Sequence, residues 1–215
     1  DHVTGLPNRA LFVDRLKREI AKPNSENLHV VLVDIDRFKT VNDGLGPDAG
    51  DSLLMVLGRR IEQLLGPEDT VARLPGDQFA VLYSDSGQTR DVRRFTDSLR
   101  QTIAKPVNVN QQEIFMTACL GVASLREGGS TAEQLMKDAA IALYEAKRRG
   151  KEMIEFFRSS MRDERGELVA LEAELRRALE RNEIEVHYQP IARLSDMDLA
   201  GFEALVRWRH PSLGL

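Results

Sequence analysis

The spacing of apolar positions changes along this chain, and each change marks an element. After Pro7-Asn8, the residues Phe12, Leu16 and Ile20 recur every four positions, which predicts a helix ended by polar Pro23-Asn24-Ser25. Residues 30–33 are continuously apolar, the pattern of a central strand covered on both faces. A short helix is expected over 38–45. A longer one is expected after Asp51, with Leu53, Leu57, Ile61 and Leu64 on one face. Residues 71–83 read as two strands around a tight turn at Pro75-Gly76. Residues 88–104 read as a polar helix with Phe95, Leu99 and Ile103 inward, and 107–109 and 113–124 as strands. Leu135, Ala139, Ala142, Leu143 and Ala146 stripe a further helix, and 154–156 reads as a last strand.

Strand–helix crossovers thus alternate with antiparallel hairpins. The expected fold over residues 1–157 is α+β, an α/β sandwich. Its central mixed sheet is flanked by helices, of ferredoxin-like or polymerase-palm type. Residues 158–182 differ: Leu168, Leu171, Leu175 and Leu179 form a narrow stripe flanked by the i,i+4 pair Glu172 and Arg176. This segment reads as a linker helix, broken at Gly166, that opens a second unit. Residues 183–215 begin that unit with strands over 185–189 and 200–208.

Composition narrows the classes. The chain has 215 residues, 42% apolar and 30% charged, and a net charge of −4, so it has no general attraction for nucleic acid or an anionic membrane. Cys119 is the only cysteine, which rules out an internal disulfide and fits a reducing compartment, with the thiol buried and inert in a strand. No run approaches the length of a membrane span and none reads as a signal peptide. A cytoplasmic location follows as an expectation. The chain opens on Asp1 and stops at Leu215, so a longer parent, possessing sensors or a membrane attachment, is expected around it.

Asp34 and Asp36 lie at the end of the apolar strand, and Asp77 lies on the hairpin turn. Carboxylates together with substrate phosphates are how proteins hold Mg²⁺, and such ions activate a hydroxyl for displacement at phosphorus. Carboxylates at strand ends are also commonly just solvated. The nearby Lys39 and Asn42 favour the metal reading. An Asn42 carbonyl and an Asp51 carboxylate can accept from the N–H edge of guanine. Asp51 equally fits the N-cap of the Leu53 helix. Lys39, Lys147 and Lys151 are candidate phosphate contacts, or solvated surface lysines. No phosphate-binding glycine loop, zinc spacing or Ser-His-Asp arrangement is present.

Thr4-Gly5-Leu6-Pro7-Asn8-Arg9, Asp34-Ile35-Asp36-Arg37-Phe38-Lys39, Asn42-Asp43, Gly50-Asp51 and Tyr144-Glu145-Ala146-Lys147 together resemble the GGDEF domains, which include diguanylate cyclases. Tyr188-Gln189-Pro190-Ile191 and Glu203-Ala204-Leu205-Val206-Arg207 resemble the start of an EAL domain, the cyclic-di-GMP phosphodiesterase barrel. The resemblance implies a GGDEF fold at 1–157 and a truncated EAL domain at 183–215. It also implies a reaction in which two facing domains of a homodimer join two GTP molecules into cyclic-di-GMP. It places Mg²⁺ or Mn²⁺ on Asp34, the Ile35 carbonyl and Asp77, guanine on Asn42 and Asp51, and phosphates on Lys39 and Lys147. From the EAL resemblance, Glu203 would bind metal, Arg207 phosphate, and Gln189 would lie near cyclic-di-GMP.

The departures matter as much. The signature reads Pro75-Gly76-Asp77-Gln78-Phe79, with proline for glycine and glutamine for glutamate. Proline fixes φ and removes a donor. Gln78 carries no charge for metal or proton transfer. Pro47 stands where the family usually has histidine, and Lys151 replaces an arginine and its bidentate fork. Gly66-Pro67-Glu68-Asp69 occupies the place of the inhibitory R-x-x-D, with its arginine missing. The expectation is a degenerate module that binds GTP and Mg²⁺ with little cyclase activity and tunes an attached phosphodiesterase. The rivals are a working cyclase and a structural dimerisation module.

Overall fold

The computed structural model describes residues 1–22, 27–85, 91–125 and 130–215, except the side chains of 164, 165 and 167–170. Its elements are α1 (Arg9–Ile20), β1 (Leu28–Ile35), α2 (Phe38–Leu45), α3 (Pro47–Glu62), β2 (Thr70–Arg73), β3 (Gln78–Ser84), α4 (Val92–Ala104), β4 (Val107–Val109), β5 (Gln112–Ile114), β6 (Ala118–Ser124), α5 (Ala132–Arg149), β7 (Ile154–Phe156), α6 (Ser160–Ala178), β8 (Ile184–Ala192) and β9 (Leu199–Trp208). The chain divides into two units, Asp1–Met161 and Arg162–Leu215.

In the first unit the sheet order is β2-β3-β1-β6-β7. β1 runs antiparallel to β3 and β6, β2 antiparallel to β3, and β6 parallel to β7. The order and the βαββαβ connectivity of β1, β2, β3 and β6 are ferredoxin-like, as expected. All eight residues of β1 are buried because helices cover both faces. On one face Val31, Val33, Phe79, Val81 and Leu120 pack with Leu53, Leu57, Ile61, Leu99 and Ile103. On the other, Val30, Leu32, Ala80 and Leu82 pack with Phe12 and Leu16 of α1 and with Leu135, Ala139 and Leu143 of α5. The alternation of side chains along each strand deals them to the two cores. Gly121 of β6 lies under α5: a Cβ there would fall 2.2 Å from the Leu143 backbone N and 2.4 Å from the Ala139 carbonyl O.

Three local expectations are corrected. Asp51 is not a cap: α3 begins at Pro47 with Gly46 as N-cap, because a proline at the first helical position needs no hydrogen-bonded N–H. The strand expected over 113–124 is two, β5 and β6. The first turns back on β4 through Asn110 and Gln111, both at positive φ, as a hairpin turn requires. Gly166 does not break α6, which runs continuously through it. The proposed helix end at Pro23-Asn24-Ser25 and the helix start at Gln88 lie outside the described residues, as does the Leu168 side chain. Leu175 and Leu179 of the same stripe are exposed.

In the second unit, β8 and β9 form an antiparallel hairpin. His210 contacts Glu174 of α6 at 2.5 Å, and Trp208 Nε1 donates to Glu183 at 3.1 Å. Among the described residues no helix is long and apolar enough to cross a membrane.

Two outcomes follow from the packing. Gly121→Ala drives a methyl into helix backbone that cannot rotate away, so it should cost about 3 kcal/mol, the upper end for overpacking; an unchanged urea midpoint would contradict this contact. His29 is buried on β1 with its Nδ1 2.8 Å from Ser124 Oγ. Burial lowers its pKa, against the opposing pull of Asp85 and Asp91. The unfolded chain therefore takes up the proton first as pH falls, so stability is present above the unfolded value of about 6.5 and is lost as pH drops through the folded value. The urea midpoint of wild type should fall between about pH 7 and 5 more steeply than that of His29→Gln. Parallel curves would show that His29 contributes nothing.

Candidate functional site

The last turns of β1, the β2–β3 hairpin and the C-terminal turn of α5 converge at one end of the sheet. Asp34 lies directly opposite Gln78 across the β1–β3 pairing. Cross-strand partners share a face with their Cβ atoms about 5 Å apart. Asp34 is only 5% exposed. Its Oδ2 accepts a hydrogen bond from Gln78 Nε2 at 2.7 Å and is 2.5 Å from Lys147 Nζ. Lys147 belongs to the basic last turn of α5, where the helix dipole favours cations.

The signature turn is closed by Leu74 N donating to Gln78 O at 2.9 Å, with Gly76 at φ 83° supplying the left-handed position. Only glycine adopts that conformation readily. Asp77 O accepts from Ile35 N, which holds the turn against the end of β1. Burial raises the Asp77 pKa first and the charge of Asp34 second; Lys147 and Arg73 pull it back.

Arg73 is the residue that reasoning from the sequence missed. Its guanidinium is buried, donates to the carbonyls of Leu74 and Gln78, and stands 5.3 Å from the Phe79 ring centre. It therefore clamps both sides of the turn. Burial opposes its charge, while Asp77 and Asp51 support it. Its position two residues before the signature, in a strand that is otherwise apolar at Val71 and Ala72, was the available signal.

The other candidates separate. Asn42 lies on α2, and its Oδ1 is buried with no hydrogen-bond partner. Gly50 of α3 makes room for it: a Cβ there would fall 1.9 Å from that oxygen. Asp51, next along α3, and Lys39 of α2 are exposed. Asp36 is not grouped with Asp34 and Asp77. Its carboxylate accepts from Thr117 Oγ1 at 2.6 Å and from Glu152 N at 3.1 Å, so it fastens the segment after α5 to the entry of β6. Lys151 lines a separate cleft of about 440 Å³ with Asp36, Arg37, Thr40 and Phe115. Cys119 is fully buried, and burial pushes its thiol pKa up. Asp69, the residue left from the R-x-x-D position, accepts from Gly66 N at 2.8 Å and from Ser84 N of β3 at 3.1 Å.

At Asp34 Oδ2 the donor set does not fit a divalent cation held by the protein. The residue facing Asp34 is an amide donor rather than a carboxylate, and the Asp34 oxygen beside it is already shared with an ammonium. Among the described residues, no three His, Cys, Asp or Glu side chains are grouped to hold a metal ion.

In the second unit the pairing puts Gln189 opposite Glu203 and Glu185 opposite Arg207, so Gln189, Glu203 and Arg207 share one face of the β8–β9 hairpin. The other face carries exposed Val186, Tyr188, Phe202 and Val206.

Comparison with known proteins agrees with this architecture. Residues 1–153 match the family model described as diguanylate cyclase, GGDEF domain, and residues 172–215 match the EAL domain. A solved GGDEF domain of PA1120 (TpbB or YfiN) from Pseudomonas aeruginosa is 35% identical, with a TM-score of 0.71 over 76% of this chain and 96% of that one. The cyclic di-GMP phosphodiesterase NbdA of the same organism is 37% identical over all of this chain and 28% of its own length. The bifunctional diguanylate cyclase/cyclic di-GMP phosphodiesterase MucR, also from P. aeruginosa, is 37% identical over all of this chain and 32% of its own length. The chain thus spans about a third or less of these curated relatives. With its sheet order, its signature hairpin and the match over residues 1–153, the chain belongs to the GGDEF domain family, followed by a short EAL match.

Proposed function

We propose that the first unit binds GTP without efficient cyclisation and regulates a cyclic-di-GMP phosphodiesterase of the EAL type in a longer cytoplasmic protein. The observation that carries this reading is the buried, unpartnered Asn42 Oδ1 between α2 and α3. A buried acceptor left unpaired costs about 1–3 kcal/mol, and a guanine N–H relieves that cost. The exposed Asp51 carboxylate, one residue after Gly50, is the second acceptor for the same base edge. Lys39 and Lys147 are the candidate phosphate contacts, and Lys147 must then exchange Asp34 for the phosphate. Mg²⁺ enters on the triphosphate itself.

The weak cyclase activity rests on the signature turn. Gln78 spends its amide on Asp34, and Pro75 has no N–H to offer a phosphate beside it. The regulatory role rests on the EAL match and on Gln189, Glu203 and Arg207 sharing a hairpin face, with the remainder of that domain supplying the rest of the cyclic-di-GMP site and covering the apolar face. As in other members of this family, two copies facing each other form the parent dimer.

Calorimetry on the chain with magnesium nucleotides should show GTP preferred over ATP by about tenfold or more, from about 1–3 kcal/mol per unsatisfied acceptor. Gly50→Ala displaces the Asn42 amide and should weaken GTP as much as Asn42→Ala does. Its thermal midpoint should fall only modestly, because the Asn42 side-chain end can move aside and the Phe38 ring, 3.0 Å from the new Cβ, has only to shift slightly. Equal affinity for the two nucleotides would end the guanine reading. In the full-length parent, GTP should change phosphodiesterase turnover or KM, and Asn42→Ala should remove the response. Cyclic-di-GMP synthesis should stay far below the enzyme median of about 10 s⁻¹ and rise in Pro75→Gly with Gln78→Glu. Synthesis near the median in wild type would establish the working cyclase instead.

A further inference from the structure

The opposite of a metal site is built at the end of β1. Two carboxylates, Asp34 and Asp77, act on one another there, and two cations, Lys147 and Arg73, act on Asp77 in return. Asp34 Oδ2 holds the Lys147 ammonium at 2.5 Å and the Gln78 amide at 2.7 Å. The charges balance, and the buried Asp34 carboxylate has charge-assisted donors of its own. Mg²⁺ and Mn²⁺ would gain Asp34 Oδ2 only by displacing both, and an ion at the other oxygen of the same carboxylate would face the Lys147 ammonium close by. Mg²⁺ in particular demands near-ideal oxygen geometry and dehydrates reluctantly.

We infer that Gln78 and Lys147 replace the divalent cation in this domain, and that Gln78 is the residue that decides it. The cross-strand register makes Gln78 decisive. A glutamate there would stand opposite Asp34 with Asp77 alongside, and three carboxylates so placed repel one another unless a cation joins them. An amide in the same place turns the repulsion into a hydrogen bond. The inference concerns the nucleotide-free domain, and its test contains no GTP.

The test uses Mn²⁺ alone, followed by the electron paramagnetic resonance signal of the free aqueous ion. Wild type and Asp34→Asn should take up Mn²⁺ equally weakly, with no site in the range below about 1 mM that depends on Asp34. Gln78→Glu should create a site at least about tenfold tighter, on the scale by which partners of a ligand alter metal affinity. Asp34→Asn in the Gln78→Glu background should abolish it. Lys147→Met, which frees Asp34 without adding charge, is a second route to raised affinity and guards against a Gln78→Glu chain that fails to fold. Uptake by wild type that disappears in Asp34→Asn would overturn the inference. So would a folded Gln78→Glu chain, or a folded Lys147→Met chain, with wild-type Mn²⁺ affinity. Mn²⁺ held equally by wild type and Asp34→Asn sits elsewhere on the surface and leaves Asp34 closed, as inferred.

Discussion

A carboxylate buried on the central strand is the constraint around which this site is organised. Asp34 has almost no contact with water, and its position in β1 is dictated by the register of the two strands beside it. An ionised group so placed must be given partners by the protein. Those partners come from two other elements, Gln78 at the start of β3 and Lys147 in the last turn of α5. One side chain thereby links the strand, the signature hairpin and the helix that covers this face of the sheet. Lys147 is half exposed, so solvent screens part of that attraction, and the link owes its specificity to geometry as much as to charge.

The close approach of α5 depends on a second constraint, the missing side chain at Gly121. Ala139 and Leu143 lie so near β6 that no Cβ fits between them. That contact sets the height of the helix over the sheet and with it the reach of Lys147, four residues further along α5. Arg73 performs the corresponding task for the hairpin. It bonds carbonyls on both sides of the turn, so the signature loop keeps its shape although Pro75 stands where a glycine is usual in this family. The turn is thus well formed although its sequence departs from the family signature at Pro75 and Gln78.

Much of the fold was legible in the chain itself. The unbroken run 30–33 announced a strand with both faces covered, and β1 is that strand. The four-residue spacing of Phe12 and Leu16, and of Leu53, Leu57 and Ile61, found helices whose apolar sides form the two cores. Where the reading failed, local backbone chemistry had outweighed periodicity. Pro47 and Gly46 started α3 one turn before Asp51, and Asn110 and Gln111 folded β4 and β5 into a hairpin of their own. Gly166 was read as a break, but a glycine inside a helix costs only about 1 kcal/mol, and the flanking residues carry α6 through it.

At the site, the sequence by itself determined which groups are available: Asp34, Asp77, Asn42, Asp51 and the lysines, with proline and glutamine in the signature turn. Their identities are local facts, and so was the loss of charge at position 78. The tertiary structure alone decided how they are joined. It set Gln78 opposite Asp34 through strand register, brought Lys147 to the same oxygen from a helix 113 positions later in the sequence, and turned Asp36 away to Thr117 and Glu152. It also buried Arg73 beneath the turn and left the Asn42 oxygen without a partner. Periodicity reports which side of an element is apolar. The pairing of one charged group with another depends on register and helix height, and these are fixed only when the two cores close over the sheet.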